Sequence, residues 1–329
     1  MSGTAPTSVR VELGERAYDV RVGDGLLLSA DEMINEAMGG AIRKASVVVD
    51  ANVPDERRDE LLESLGVDIN LLEIDPSEPI KTLETFGVIL NMLADSRHER
   101  TDPVIALGGG IIGDLAGFAA SAYRRGVQFI QCPTTLLSMV DASVGGKTGV
   151  NLRVDPEGPL LKNMAGAFHQ PRLVLGDVST LDSLDERDFR SGLAECVKHG
   201  FISGGAGDPG LLGWIGEHTD RILAREPGTL IELVTRNVVI KARVVEGDEH
   251  ELNAGEGPSR MWLNLGHTFA HAIEPMAELS PEGKDAPLLH GEAVSVGVVA
   301  ACALSQELGH DDGSLVGLAR DELTRLYEE

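Results

Sequence analysis

The spacing of hydrophobic positions along this chain changes near its middle. In the first half, residues 54–65 and 82–95 have helical spacing. Short apolar or β-branched runs predict strands at residues 9–13, 18–22, 45–50, 69–74 and 103–107, the first two as a hairpin. Alternation of strands and helices predicts an α/β layer with a mainly parallel sheet.

The strand pattern fades from about residue 185, and residues 230–245, 267–277 and 291–308 have helical spacing. We therefore predict two domains, an α/β domain over residues 1–180 and a mostly α-helical domain over residues 181–329. A usual domain size of about 150 residues also predicts two domains in a chain of this length. Stretches rich in glycine, proline and acidic residues predict surface loops at residues 155–159, 204–210, 253–258 and 280–287.

Composition excludes several classes of protein. The 28 Lys and Arg residues against 53 Asp and Glu residues give a net charge of −25, which argues against binding to nucleic acid or to an anionic membrane surface. We see no apolar run long enough to span a membrane, no signal-peptide pattern and no cysteine spacing typical of disulfides. We therefore expect a cytoplasmic protein, in which Cys132 and Cys196 are small buried residues.

A glycine cluster follows the strand predicted at residues 103–107. Gly108, Gly109 and Gly110 precede a helical stretch that contains Gly113 and Asp114. Glycines at such a turn let the backbone approach a ligand, and the start of a helix offers N–H groups to a phosphate. The cluster matches neither the Walker motif nor G-x-G-x-x-G, so a tight turn without a ligand remains an equal interpretation.

Lysines are scarce in this chain, so the position of each one is informative about function. Only seven of the 28 basic residues are lysine, and two of these, Lys147 and Lys162, lie in or near a polar, glycine-containing loop. A single lysine of this kind is usually a solvated side chain. In a chain this poor in lysine, the pair favours an anionic ligand.

Three histidines and a glutamate have the character of metal ligands. His267 and His271 lie four residues apart on one predicted helical face, His290 begins another helix, and Glu195 precedes Lys198 by three residues. A carboxylate with two imidazoles is a common set for a divalent metal that leaves positions open for substrate. No G-x-S-x-G elbow supports a Ser/His/Asp hydrolase, and aromatic residues are too few for a single-strand stacking surface.

Taken together, these motifs resemble the 3-dehydroquinate synthase family of sugar-phosphate cyclases. The resemblance runs in order over about residues 45–308 and rests on residues 108–118, 125–126, 133–148, 162–171, 192–198, 264–274 and 290–294. It implies a Rossmann-like NAD-binding α/β domain followed by a mostly α-helical domain that binds metal and substrate.

The resemblance also implies an activity. Members convert 3-deoxy-D-arabino-heptulosonate 7-phosphate, a phosphorylated keto-acid sugar, to 3-dehydroquinate and phosphate, in the shikimate pathway that leads to chorismate and the aromatic amino acids. The enzyme is a carbon–oxygen lyase that uses NAD transiently: a hydroxyl is oxidised, phosphate is eliminated, the ketone is reduced again, and an intramolecular aldol step closes the ring. Zinc or cobalt polarises the hydroxyl.

Site residues follow from the same resemblance. Glu195, His267 and His290 correspond to the metal ligands. The residues that correspond to NAD contacts are Asp50, Asn52, Glu78, Lys81, Gly109, Gly110, Ile111, Ile112, Asp114, Thr134, Thr135, Asp141, Lys147, Lys162, Thr180, Leu181, Asp182 and Ser183. Those that correspond to substrate contacts are Arg125, Lys147, Lys162, Asn163, Lys198, Lys241, Arg260, Asn264 and His271, with Arg125 donated across a homodimer interface. Catalytic roles are expected for Lys147, Asp141, Lys198, Asn264 and His271.

Some features bear on which family member this is. An Arg/Lys pair, Arg260 and Lys241, suits a substrate carboxylate. Relatives that make valiolones or aminocyclitols act on sugar phosphates without a carboxylate. The loop between Lys147 and Lys162 is longer than is usual in the family, by about the length of residues 155–159, and the loop before Arg260 is also longer. The family normally continues beyond the position of Glu329 and supplies a further phosphate-binding lysine, so we expect either a shortened version or another group in that role.

Three alternatives remain at this point: another sugar-phosphate cyclase, a metal-dependent polyol dehydrogenase of the glycerol dehydrogenase type, and a non-catalytic descendant. Net accumulation of NADH would mark the dehydrogenase. Against it, five of the seven lysines fall at positions that correspond to cofactor or substrate contacts, Lys44 and Lys284 being the exceptions. We expect those five to line one cationic pocket within an acidic surface.

Overall fold

The structure is a computed structural model that describes residues 6–155, 158, 160–253, 257–276, 279 and 288–327. It divides into two compact units, Met1–Ser183 and Leu184–Glu329. The first unit includes the 3₁₀ helix Val178–Ser183, so residues 181–183, assigned to the second domain from the sequence, lie in the first unit. Lys284 and the loop at 280–287 lie outside the described residues, as do parts of the loops at 155–159 and 253–258.

A seven-stranded sheet, a two-stranded sheet and helices form the first unit. The strands are β1 (Thr7–Val11), β2 (Tyr18–Gly23), β3 (Lys44–Asp50), β4 (Asp68–Ile74), β5 (Pro103–Gly108), β6 (Gln128–Pro133), β7 (Lys147–Arg153), β8 (Leu160–Phe168) and β9 (Leu173–Asp177). The helices are α1 (Ala30–Met38), α2 (Asp55–Leu65), α3 (Leu83–Asp95) and α4 (Gly110–Ala122). The order β1-β2-β9-β6-β5-β3-β4 is parallel except for the β1–β2 hairpin. The predicted hairpin, strands and alternation are thus confirmed.

The sheet is buried on both faces, which explains its sequence. Val47 and Val49 belong to the core on one face, and Val48 belongs to the core on the other. Because a parallel sheet is covered on both faces, its central strands read as continuous apolar runs rather than as alternating ones.

A second, two-stranded antiparallel sheet, β7–β8, was missed from the sequence. Lys147, which the sequence placed in a polar loop, is the first residue of β7. Most of β8 is exposed, so its residues carry no hydrophobic alternation. The pairing is therefore set by contacts that a local pattern does not reveal.

Helices alone form the described part of the second unit: α5 (Glu186–Ile202), α6 (Leu211–Leu223), α7 (Pro227–Gly247), α8 (His267–Ile273), α9 (His290–Glu307) and α10 (Ser314–Tyr327). The predicted helix over 267–277 is wrong at its end. Pro275 lacks the N–H that would continue the helix and limits it to Ile273. Among the described residues, no helix is long and apolar enough to cross a membrane.

In the second unit, α9 packs against α5, α8 and α10. The contact with α8 is made by glycines. A Cβ on Gly297 would lie 2.3 Å from the Gly266 carbonyl oxygen, and a Cβ on Gly266 would lie 2.6 Å from the Val298 backbone nitrogen. Glycine at both positions therefore lets the two helices approach at backbone distance.

Candidate functional site

In the first unit, the glycine turn brings the carboxyl ends of three neighbouring strands together. Gly109 caps α4 directly after β5. A Cβ on Gly108 would lie 2.7 Å from Cβ of Asp50, which ends β3, and a Cβ on Gly109 would lie 3.2 Å from Cγ2 of Thr135, just beyond β6. The backbone N–H of Thr134 donates to the Gly108 carbonyl at 3.1 Å. This edge of a parallel sheet is where α/β folds bind nucleotides.

The predicted NAD contacts around this edge differ in burial. Asp50, Thr134, Thr180 and Leu181 are buried, whereas Asn52, Asp182 and Ser183 are exposed; Ile112 is fully buried in the core. The Asp50 carboxylate accepts the Asn52 N–H at 2.8 Å and so fixes the turn after β3. Gly110 and Ile111 are the first two residues of α4.

Lys81 is a buried cation with two partners in the first unit. Its Nζ donates to Asp114 Oδ2 at 2.5 Å and to Asn163 Oδ1 at 2.6 Å. The structure thus joins two predicted NAD contacts to a predicted substrate contact, three residues that are far apart in the chain. A buried ammonium needs such compensation, because desolvating an unpaired charge is costly.

The remaining predicted site residues of this unit are more open. Lys147 on β7, Lys162 on β8 and Arg125 are exposed, and Arg125 has a left-handed backbone with φ 67°. Asp141 lies in a π-helical turn, Ser138–Ala142, a conformation found frequently at functional sites.

In the second unit, the structure brings the three predicted metal ligands together. Oε1 of Glu195 on α5 lies 3.8 Å from Nε2 of His267 on α8 and 3.6 Å from Nε2 of His290 on α9. One ligand atom from each residue lies within 4.8 Å of the others. Two imidazoles and one carboxylate at this spacing fit a divalent metal and leave coordination positions open. Lys198 forms a buried ion pair with the same carboxylate.

His290 also faces a residue that the sequence did not single out. Its Nδ1 lies 3.7 Å from Oε1 of Glu274, so each ring nitrogen faces a carboxylate. Burial lowers the pKa of His290, but Glu195 and Glu274 more than offset this effect and raise it to about 9. Burial, reinforced by the nearby Lys198 ammonium, lowers the pKa of His267. A carboxylate behind a metal-ligating imidazole orients the ring and raises its basicity.

Contacts between α5 and α9 fix the position of His290. The Gly291 N–H donates to Ser191 Oγ at 3.0 Å. Arg187 donates to both carboxylate oxygens of Glu292, at 2.7 and 2.8 Å, and the same carboxylate accepts the Leu289 N–H at 2.8 Å. A bidentate pair combined with a helix cap holds the first turn of α9 against α5.

The predicted substrate residues of the second unit are placed unevenly. Lys198, Lys241 and Arg260 are buried, whereas Asn264 and His271 are exposed. The 3₁₀ helix Arg260–Asn264 packs on both α5 and α7. The His271 ring lies 5.4 Å from the His267 ring, centroid to centroid. Of the five lysines expected at the site, Lys81, Lys198 and Lys241 are buried and Lys147 and Lys162 are exposed.

Asp248 anchors Arg260 and was also missed from the sequence. Its carboxylate accepts the backbone N–H groups of Leu252, Asn253 and Arg260 at 2.8, 3.1 and 3.2 Å. The Arg260 Nε–H donates to the Asp248 carbonyl at 3.0 Å. Burial raises the pKa of Asp248, but these backbone hydrogen bonds outweigh it and lower the pKa. The only signal in the sequence was the position of this aspartate, shortly after the predicted helix and before the stretch at 253–258.

Comparison with known proteins gives consistent matches over most of the chain. Residues 71–191 match the family model described as 3-dehydroquinate synthase N-terminal, and residues 192–325 match the one described as 3-dehydroquinate synthase C-terminal. A 3-dehydroquinate synthase of Pseudomonas aeruginosa is 43% identical over 97% of this chain and 79% of its own length. One from Caulobacter vibrioides is 44% identical over 92% of this chain and 77% of its own.

Solved structures agree with these matches. The 2-epi-5-epi-valiolone synthase from Streptomyces hygroscopicus subsp. jinggangensis 5008, with NAD+ and Zn2+ bound, superposes with a TM-score of 0.78 at 31% identity, over 94% of this chain and 80% of that one. A 2-deoxy-scyllo-inosose synthase complexed with carbaglucose-6-phosphate, NAD+ and Co2+ gives a TM-score of 0.76 at 24% identity, over 98% and 83%. The predicted fold class, a Rossmann-like α/β part followed by a helical part, is confirmed.

Proposed function

Because the chain belongs to the 3-dehydroquinate synthase family, we propose that it converts 3-deoxy-D-arabino-heptulosonate 7-phosphate to 3-dehydroquinate and inorganic phosphate. This makes it a phosphate-eliminating carbon–oxygen lyase of the shikimate pathway, which supplies chorismate for aromatic amino acids. The observation that carries the proposal is the cluster of Glu195, His267 and His290 in a chain 43% identical to a 3-dehydroquinate synthase.

The cofactors of the proposed enzyme are NAD and a divalent metal, zinc or cobalt. The relative solved with NAD+ and Zn2+ supports this, as do the nitrogen and oxygen donors of the metal cluster. When bound, NAD supplies a reversible oxidation and the metal polarises the hydroxyl that is oxidised. Glu195, His267 and His290 would hold the metal, and the glycine turn with Asp50, Glu78 and Lys81 would hold NAD.

The remaining side chains bind the substrate and stabilise its charges. Arg260 is buried and fixed by Asp248, so with Lys241 it offers preorganised cations to a carboxylate. Lys198, held by Glu195, offers N–H donors to an oxyanion next to the metal ligands. Asn264 and His271 complete the proposed catalytic set of this unit, with Lys147 and Asp141 in the other.

We also propose a cytoplasmic homodimer. Three buried free cysteines are consistent with a reducing compartment. Arg125 is exposed and held in a left-handed conformation at a short turn, which supports its proposed donation to a second copy. Substitution Arg125→Gln would then impair phosphate release and leave NAD binding unchanged.

A phosphate-release assay with the sugar phosphate tests the proposal. We expect phosphate to accumulate without net NADH, activity to be lost after chelation, and Zn2+ or Co2+ to restore it. Net accumulation of NADH would instead indicate a polyol dehydrogenase. A folded, metal-replete sample that binds NAD and releases no phosphate would contradict the proposed function.

A further inference from the structure

Asn151 is connected by hydrogen bonds to residues of the candidate NAD site in the first unit. It lies on β7 and is 1% exposed. Its Nδ2 donates to Glu78 at two atoms, carboxylate Oε2 at 2.7 Å and the backbone carbonyl at 3.1 Å. Its Oδ1 accepts the Asn163 N–H at 2.8 Å, and its own N–H donates to the Lys81 carbonyl at 2.8 Å.

These bonds close a ring of four residues. Asn151 holds Glu78 and Asn163, and Lys81 Nζ donates to Asn163 Oδ1 at 2.6 Å. The segment with Glu78 and Lys81 is therefore connected to β8 at two points, once through the amide of Asn151 and once through the ammonium of Lys81. An amide suits this position because Nδ2 donates to the carboxylate while Oδ1, on the other side of the same group, accepts the N–H.

The backbone supports the same interpretation. The β7–β8 register shifts between Val150 and Leu152, so Asn151 lies at a bulge-like irregularity whose extra residues are on β8. Opposite it, Asn163 has a left-handed conformation with φ 56°, which asparagine tolerates better than most residues. Bulges re-aim side chains and are frequent next to active sites. Both irregularities fall where the two strands contact Glu78 and Lys81.

We infer that Asn151 is a positioning residue for the NAD site: it orients the Glu78 carboxylate and ties the segment that carries Glu78 and Lys81 to Asn163. The inference rests on the proposed function, in which Glu78 and Lys81 contact NAD. A carboxylate binds ribose hydroxyls well when it is held in one orientation, because the cost of ordering it has already been met. NAD affinity then depends on a residue that does not touch NAD.

Substitution Asn151→Asp tests this with little change in shape. It keeps the acceptor for the Asn163 N–H and sets a second carboxylate against Glu78. We expect the NAD dissociation constant of the full chain, measured by calorimetry, to rise on the order of tenfold or more. In the background of Glu78→Gln, whose amide can donate to the new carboxylate, the same substitution should change it by less than about twofold.

Asn35→Asp is the matched control. Asn35 is in the same unit, and its Oδ1 accepts a backbone N–H from Ile42 at 2.8 Å, so the change is chemically the same away from Glu78. We expect unchanged NAD affinity. Thermal unfolding of each variant separates loss of stability from loss of affinity.

The outcomes separate the inference from the proposed function. If the unsubstituted protein does not bind NAD, the proposed function fails. If it binds NAD and the Asn151→Asp variant binds NAD equally well, the inference is overturned. The inference is also overturned if Asn151→Asp weakens NAD binding as much in the Glu78→Gln background as it does alone. Should Asn151→Asp fail to fold, Asn151→Ser, which cannot reach Glu78, takes its place with the same expected loss, and unchanged affinity there overturns the inference.

Discussion

A Cβ atom on Gly291 would lie 2.0 Å from the carbonyl oxygen of Ser191. The first turn of α9 therefore crosses α5 at a distance that only glycine permits. His290 precedes Gly291, and Glu195 lies one helical turn beyond Ser191 on α5, so this crossing sets the separation of two proposed metal ligands.

Substitution Gly291→Ala should force the two helices apart. We expect the free energy of unfolding to fall by about 3 kcal/mol and the affinity for Zn2+ to fall with it. Gly213→Ala is the control, since Gly213 lies in α6 with no atom within 4 Å of the added Cβ. That change should raise stability by about 0.5–1 kcal/mol. Thermal unfolding with and without Zn2+ measures the stability and the metal affinity of each variant. Equal stability of the two variants would show that the crossing is not tight.

Metal binding should release a proton from His290. Below its pKa of about 9, His290 is protonated in the metal-free protein, and a metal can bind only the neutral ring. His267, with its lowered pKa, is already neutral near pH 7. Affinity for Co2+ should therefore rise by about tenfold per pH unit between roughly pH 7 and 8.

Calorimetry in buffers of different ionisation enthalpy counts the released proton directly. Glu274→Gln removes one of the carboxylates that raise the pKa of His290, so this variant should release less than one proton and show a shallower pH dependence. A binding enthalpy that is independent of the buffer in the unsubstituted protein would contradict the assignment.

Asp248→Asn should impair the substrate site more than the cofactor site. An amide cannot accept all the backbone N–H groups that the carboxylate holds, so the segment that carries Arg260 loses its anchor. We expect the KM for the sugar phosphate to rise on the order of tenfold, with an unchanged NAD dissociation constant. Asp220→Asn, at an exposed position of α6, is the control. A KM equal to that of the unsubstituted enzyme would show that Arg260 does not depend on Asp248.

The cysteines should be inert in the folded protein. All three are buried; burial first, and the Asp177 carboxylate second, raise the pKa of Cys132 to about 12, and burial likewise raises that of Cys302. Since the thiolate is the reactive form, a thiol reagent near pH 8 should label the native protein at least about a hundredfold more slowly than a free thiol. In denaturant it should label three thiols. Fast labelling of one thiol in the native state would contradict this burial.

The sequence predicted part of the first unit, but not α1, β6 or β9 and not the β7–β8 sheet. The predicted strands and helices of the first unit recur within one or two residues, because periodic burial is a local property of the chain. Residue types narrowed the candidate metal ligands to three histidines and Glu195, and the family resemblance selected Glu195, His267 and His290, which the structure brings together. The expectation that Cys132 and Cys196 are buried is confirmed.

The residues that were missed act through partners distant in the chain. Asn151, Asp248 and Glu274 are polar residues whose roles depend on what folding places opposite them. Nothing within a few residues of Asn151 indicates that Glu78 will accept its amide. Strand β8 was missed for the same reason, whereas the end of α8 at Pro275 follows from local chemistry and was overlooked.

The three proposed metal ligands come from three helices, α5, α8 and α9, and two of them are separated by most of the second unit's sequence. An ion held by all three would act as a cross-link between distant parts of the chain, since no one helix retains the set by itself. Unwinding of any of these helices would then release the ion. Metal retention would thus report the integrity of the helical unit as a whole.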